Sequence, residues 1–122
     1  MYYFDSIYNK KFKKTRGYLC GSFDNAPIFS KNIEVAYVDY KELENHIGDS
    51  HHHNCCDELT LIIKGGIEEK IEDNILNLKE GDFFFVEPGV ITELISVKEG
   101  TALIVVKGPS FPEDKIKSLK YE

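Results

Sequence analysis

No stretch of this sequence stays apolar for long. Its longest apolar runs, Phe83-Phe84-Phe85-Val86 and residues 102–106, fall far short of the ~20 residues that carry a helix across a bilayer. Residues 1–14 lack the apolar stretch of roughly 7–15 residues and the small-residue cleavage site of a secretory signal. Basic side chains are in deficit: 15 Lys and Arg stand against 21 Asp and Glu, for a net charge of −6. A general nucleic-acid binder needs a basic patch to displace condensed counterions, so neither nucleic acid nor a membrane is expected as partner. Cysteine is scarce and odd in number: Cys20, Cys55 and Cys56. The adjacent pair cannot reach the Cα separation of an unstrained disulfide, so free thiols in a reducing, cytoplasmic setting are expected. There is no internal repeat, low-complexity tract or Pro/Gly/Ser-rich linker. At 122 residues the chain fits one domain able to bury a core without staples.

What is present is a succession of short strand patterns. Residues 16–23 read as an early strand. Residues 33–40 set Ile33, Val35 and Tyr37 against Glu34, Ala36 and Val38, the period of a half-buried strand. Residues 41–49 are polar and read as a loop or one helical turn. Strand patterns follow at 58–64, 67–72, 75–78, 83–86, 92–97 and 101–107. They are divided by Gly65-Gly66, Glu72-Asp73-Asn74, Glu80-Gly81-Asp82, Pro88-Gly89 and Glu99-Gly100. Strands at this spacing, with no long helical pattern between them, predict an all-β sandwich or barrel. Pro109 and Pro112 are expected to end the last strand. The basic segment 10–16 is expected to be solvated. The charged tail 113–122 is expected to be a short helix or mobile.

The chemistry sits with the histidines. There are four, three of them consecutive: His51, His52 and His53, with His46 nearby. On an extended chain His51 and His53 share a face and His52 takes the other. Glu58 joins them if the chain turns between, and Asn54-Cys55-Cys56-Asp57 contains two residue types that favour turns. Two imidazoles and a carboxylate converging on a point suit a divalent first-row metal, with open positions for water or substrate. Cys55 shares the parity of His51 and His53, but a strand continuous enough to use its sulfur would carry Glu58 away. His52 is expected to point outward and His46 to be a loop residue.

His51-x-His53-x4-Glu58-x6-Gly65 is similar to the first motif of the cupin family, and Gly81-x5-Glu87-Pro88-Gly89 resembles the start of the second. The resemblance implies a single-domain cupin-type jelly-roll β-barrel. Its barrel would span about residues 33–107, with an N-terminal extension at 1–32 and a C-terminal tail at 108–122. It implies metal held by His51, His53 and Glu58, with Zn, Fe, Mn and Ni all admitted, and catalytic roles for Glu58 and His53. Three positions depart from the family pattern. Thr92 stands where the third histidine belongs, Ser96 where a later asparagine belongs, and Asn45 where a glycine precedes the first histidine, with Gly48 the nearest glycine.

Thr92 has the parity to face the pocket, and Glu93 is expected to face away. Tyr37, Phe83 and Phe85 read chiefly as core, with Tyr37 and Phe85 the candidates for apolar walls against a substrate. Arg16 is a candidate fork for a carboxylate or phosphate. Three readings of function follow. The first is a metal-dependent enzyme, an isomerase, lyase or dioxygenase, acting on a small polar molecule. The closing segment 105–115 resembles tails of cupins of sugar metabolism, which implies a sugar-derived substrate. The second is a non-catalytic small-molecule binder. The third is a metal-free enzyme like sugar-nucleotide isomerases and epimerases. The resemblance also implies a homodimer, with strand 16–23 free to cross to a partner.

Overall fold

The computed structural model describes residues 1–117. In chain order the elements are β1 (Tyr18–Gly21), β2 (Ile28–Phe29), β3 (Glu34–Asp39), helix α1 (Tyr40–Glu44), β4 (His51–His53), β5 (Asp57–Lys64), β6 (Gly66–Ile71), β7 (Asn74–Lys79), β8 (Phe83–Val86), β9 (Thr92–Val97), β10 (Ala102–Gly108) and β11 (Lys115–Lys117). They form two sheets, ordered β2-β1-β3-β10-β5-β8 and β11-β4-β9-β6-β7. From β3 to β10 the chain keeps changing sheet, and only β6 and β7 are a same-sheet hairpin. This is the all-β architecture that the strand spacing and turn residues predict, in the jelly-roll form that the resemblance implies.

The alternation that makes each strand half-buried also builds the interior. Ala36 and Val38 of β3, Ile62 of β5, Ile67 of β6, Leu94 of β9 and Leu103 of β10 form one apolar cluster, closed by Leu43 of α1. Asp39 starts that helix by accepting a hydrogen bond from the Glu42 amide at 3.1 Å. The turn between β5 and β6 requires glycine. Gly65 has φ +77°, and a Cβ there would lie 2.3 Å from Thr101 Oγ1. The buried Thr101 hydroxyl accepts from the Gly66 amide at 3.0 Å and lies 2.7 Å from the Lys98 carbonyl, tying this turn to the next.

Four sequence readings change. Phe12 is buried within a 3₁₀ turn at Lys10–Lys13, so segment 10–16 is not wholly solvated. The strand expected to be free for a partner is β1, and it is used within the chain, parallel to β2 and antiparallel to β3. The tail returns after Pro112: residues 115–117 form β11 and pair with the histidine strand β4. The rest of the tail reading, residues 118–122, lies outside the described residues. Tyr37 and Phe85 face away from the interior, because the inward sets of β3 and β8 are Glu34, Ala36 and Val38 on one and Phe84 and Val86 on the other.

Candidate metal centre

His51 and His53 project from β4 in one sheet, and Glu58 from β5 in the other. The chain changes sheet between them, so simple strand parity does not separate Glu58 from the histidines. One ligand atom from each of the three lies within 4.8 Å of the other two. The two imidazole rings are 5.4 Å apart and edge-to-face. His51 Nδ1 lies 3.2 Å from the Asp49 carbonyl. Donation there leaves the Nε2 lone pair for a ligand. Burial and the charge of Lys115 hold the His51 imidazole below its ordinary pKa, which favours the neutral, coordinating form.

His53 is 6% exposed, and neither of its ring nitrogens has a hydrogen-bond partner. Its Nε2 lies 2.9 Å from Glu58 Oε2, yet the pair is not aligned as a hydrogen bond. Together with His51 their ligand atoms cluster closely enough for one ion to touch all three. Burial pushes the Glu58 carboxyl up, but His53, Lys107 and His51 outweigh it and keep the group ionised more readily than usual. Two imidazoles, a carboxylate that ionises readily and orphaned buried nitrogens fit a divalent first-row ion.

The turn that carries Glu58 back beside His53 is pinned from far along the chain. Asp114 is buried and accepts from the Cys55 amide at 2.8 Å and the Cys56 amide at 3.0 Å, and Cys55 Sγ lies 3.2 Å from its other oxygen. Burial opposes ionisation of Asp114, but these donors hold it down at about 2. The same carboxylate adds to burial in raising the Cys56 thiol to about 12. Cys55 therefore serves the turn, and its sulfur is not one of the three ligands grouped with Glu58.

The centre opens into a cavity of about 570 Å³. Thr92 pairs with His51 in register and is buried at the wall. Arg16 reaches the rim, 3.8 Å from Glu42. It is placed there by Gly17, whose φ is +89° and whose missing Cβ would sit 2.0 Å from the Tyr37 carbonyl. Tyr37 and Phe85 are absent from the lining. Tyr37 stacks edge-on with Tyr8, and Phe84 is the aromatic that β8 turns inward. His52 belongs to the opposite face of β4, and His46 lies 3.4 Å from Glu42 in the loop.

Sequence reasoning missed Glu34, Lys107, Tyr18 and Glu69, which all line the cavity. Lys107 shares parity with the core residue Leu103, Glu34 with Ala36 and Val38, and Glu69 with Ile67. That parity was the signal available. Ser96 faces out and donates to Glu68 at 2.6 Å, because β9 carries an extra residue, Ile95, between Leu94 and Ser96 in its pairing with β6.

Two sheets with this strand order, and a His-His-Glu group inside, define a small cupin-type, double-stranded β-helix domain. The sequence matches no family model and no curated protein. Solved structures share the fold. Pac13 from Streptomyces, described as a nucleoside dehydratase, is 10% identical over 76% of this chain and 73% of its own, with TM-score 0.61. A Klebsiella pneumoniae protein with a double-stranded β-helix domain is 22% identical over 75% of this chain and 78% of its own, with TM-score 0.58. A Bacteroides fragilis cupin is 15% identical over 75% and 72%, with TM-score 0.51.

Proposed function

We propose that the protein is a metal-dependent cupin that acts on a small, sugar-derived molecule, with a Zn, Fe, Mn or Ni ion held by His51, His53 and Glu58. The observation that carries this reading is the buried His53, with no partner for either ring nitrogen and a carboxylate at 2.9 Å. A metal there supplies Lewis acidity to an oxygen of the bound molecule. Glu58 and His53 are the groups placed to move a proton on it, and Thr92 and Arg16 to contact it. The likeness to a nucleoside dehydratase solved with uridine supports a sugar-like ligand and, among enzyme classes, a lyase or isomerase. Metal analysis of protein purified without a histidine tag tests the centre. About one equivalent is expected, lost in His51→Ala. Less than roughly a tenth of an equivalent, unchanged after reconstitution, would overturn it.

A second reading is a metal-free binding or acid/base pocket. It is favoured by Thr92 in place of a third imidazole and by Lys107, which lies in register with Glu58 and supplies positive charge without an ion. Uridine binding that survives thorough chelation distinguishes it. Among the described residues no helix is long and apolar enough to cross a membrane. Three free cysteines support a cytoplasmic setting. We assign the partner as a second copy of the chain, docked through the outer face of the first sheet.

A further inference from the structure

Among the described residues, one buried acid has neither a counter-charge nor a hydrogen bond: Glu69. Glu34 has Lys107 at 3.6 Å and the Ser110 hydroxyl at 3.3 Å, Glu58 has His53 at 2.9 Å, and Asp114 has two backbone amides. Glu69 is 7% exposed, lines the cavity, and its charged neighbours are the acids Glu58 and Glu93. Its carboxyl is set among apolar side chains and other acids on the cavity wall, an environment that disfavours its charge, and an apolar side chain would fit the same wall of Ile67 and Leu94. A residue kept at a loss to stability points to a task that needs it.

Its placement says which task. Thr92 of β9 pairs with both His51 and Ile71, and Leu94, one pleat deeper, pairs with Glu69. Glu69 is therefore two strands across and one pleat down from His51, about 10–12 Å by strand spacing. That backbone distance, less a polar contact at each end, leaves room for about one sugar ring. The open cavity volume of about 570 Å³ accommodates such a molecule.

We propose that Glu69 is the recognition residue for a ligand hydroxyl: a sugar or nucleoside with one end at His51, His53 and Glu58 reaches Glu69 with a hydroxyl at the other. This rests on the sugar-like ligand of the preceding reading and names the residue that selects it. In the metal-free site burial, then Glu58 and Glu93, lift the Glu69 carboxyl to about 8, so there, near neutrality, it both donates and accepts. A hydroxyl matches that pair, and an apolar group leaves it unpaired.

The test is ligand-detected NMR on the full chain, zinc-free and zinc-loaded, with uridine and a set of five- and six-carbon aldoses as probes. At least one probe should bind. Its affinity should weaken about tenfold or more in Glu69→Leu and stay within about threefold in Glu69→Gln, which keeps a donor and an acceptor. In the zinc-free parent, binding should weaken as pH rises past about 8, and in zinc-free Glu69→Gln it should not. Both variants should melt no lower than the parent. Equal binding in Glu69→Leu, equal weakening in both variants, or a lower melting temperature overturns the proposal and leaves the sugar-like reading standing. No binding of any probe to the parent overturns both.

Discussion

Lys107 and Glu58 are register partners across β10 and β5, and on its other side Lys107 is the register partner of Glu34 on β3, 3.6 Å away. One buried cation thus stands between two acids that face the cavity, its ammonium 5.9 Å from the centre of the Tyr18 ring. Burial alone would lower the lysine's pKa, but Tyr18, Glu34 and Glu58 raise it above the ordinary value, so it stays charged throughout the neutral range.

Lys107→Met leaves both acids without that cation. Breaking a buried pair from one side typically costs about 3–5 kcal/mol. Chemical denaturation should show a loss of about that size. Saturating zinc should recover a larger share of stability in Lys107→Met than it adds to the parent, because a cation at His51, His53 and Glu58 then neutralises Glu58 alone. Equal zinc effects in both would show that the metal and the lysine do not share Glu58.

Asp114→Ala frees the turn that sets Glu58 against His53. Losing the hydrogen bonds of a buried carboxylate to two amides should cost about 2–3 kcal/mol. Hydrogen exchange at the Cys55 and Cys56 amides should quicken, and zinc affinity should fall although no ligand has been removed. Asp114 falls from an ordinary 3.8 to about 2 on folding. Its contribution is complete above the unfolded value and is lost as pH falls through the folded one. The parent and Asp114→Ala should therefore converge in stability toward pH 2. Unchanged exchange at both amides would remove Asp114 from the site's support.

Much of this was legible in the sequence, and the exceptions have local causes. Turns carry their own residues, as Gly65-Gly66 and Pro88-Gly89 do, so strand number and spacing could be read. His51, His53, Glu58 and Thr92 were singled out by their resemblance to the family's motifs, since parity along one continuous strand would have turned Glu58 away from the histidines. Tyr37 and Phe85 were misplaced because β3 and β8 are apolar on both faces, and the larger side chains lie outside. The outward turn of Ser96 depends on the extra residue Ile95, which breaks a two-residue period without a compositional mark. β11 is three residues of Lys-Ile-Lys, with backbone pairing and no pattern. Lys107 and Glu69 look like ordinary surface charges until their strands are given an inside.

Glu69 gives the folded protein a pH dependence of definite sign. Its carboxyl rises from an ordinary 4.5 in the unfolded chain to about 8 in the fold. The native state therefore binds more protons between those values, and stability falls as pH rises through that window. The change is on the order of a few kcal/mol. Denaturation from pH 5 to pH 8.5 should show the parent losing stability relative to Glu69→Gln as pH rises, because the depressed His51 imidazole titrates alike in both. A difference between the two that stays constant across this range would show that Glu69 is ionised in the fold.

The proposed second copy would dock on the outer face of the first sheet. Two rows cross it in register: Val35, Val106, Leu59 and Phe85, then Tyr37, Ile104, Leu61 and Phe83. Phe83 and Phe85 are 64% and 53% exposed. An apolar face of this continuity is unusual on a monomer, and a two-fold dimer would pair such a face with its own copy. Tyr8 of the N-terminal segment packs edge-on against Tyr37 at one side of this face. Light scattering after size exclusion should give twice the 14.0 kDa chain mass. Phe83→Glu with Phe85→Lys should give the single mass, with the zinc content of the parent retained, since neither side chain lines the cavity. A parent of single mass at high micromolar concentration, or a double variant that stays dimeric, removes this face as the interface.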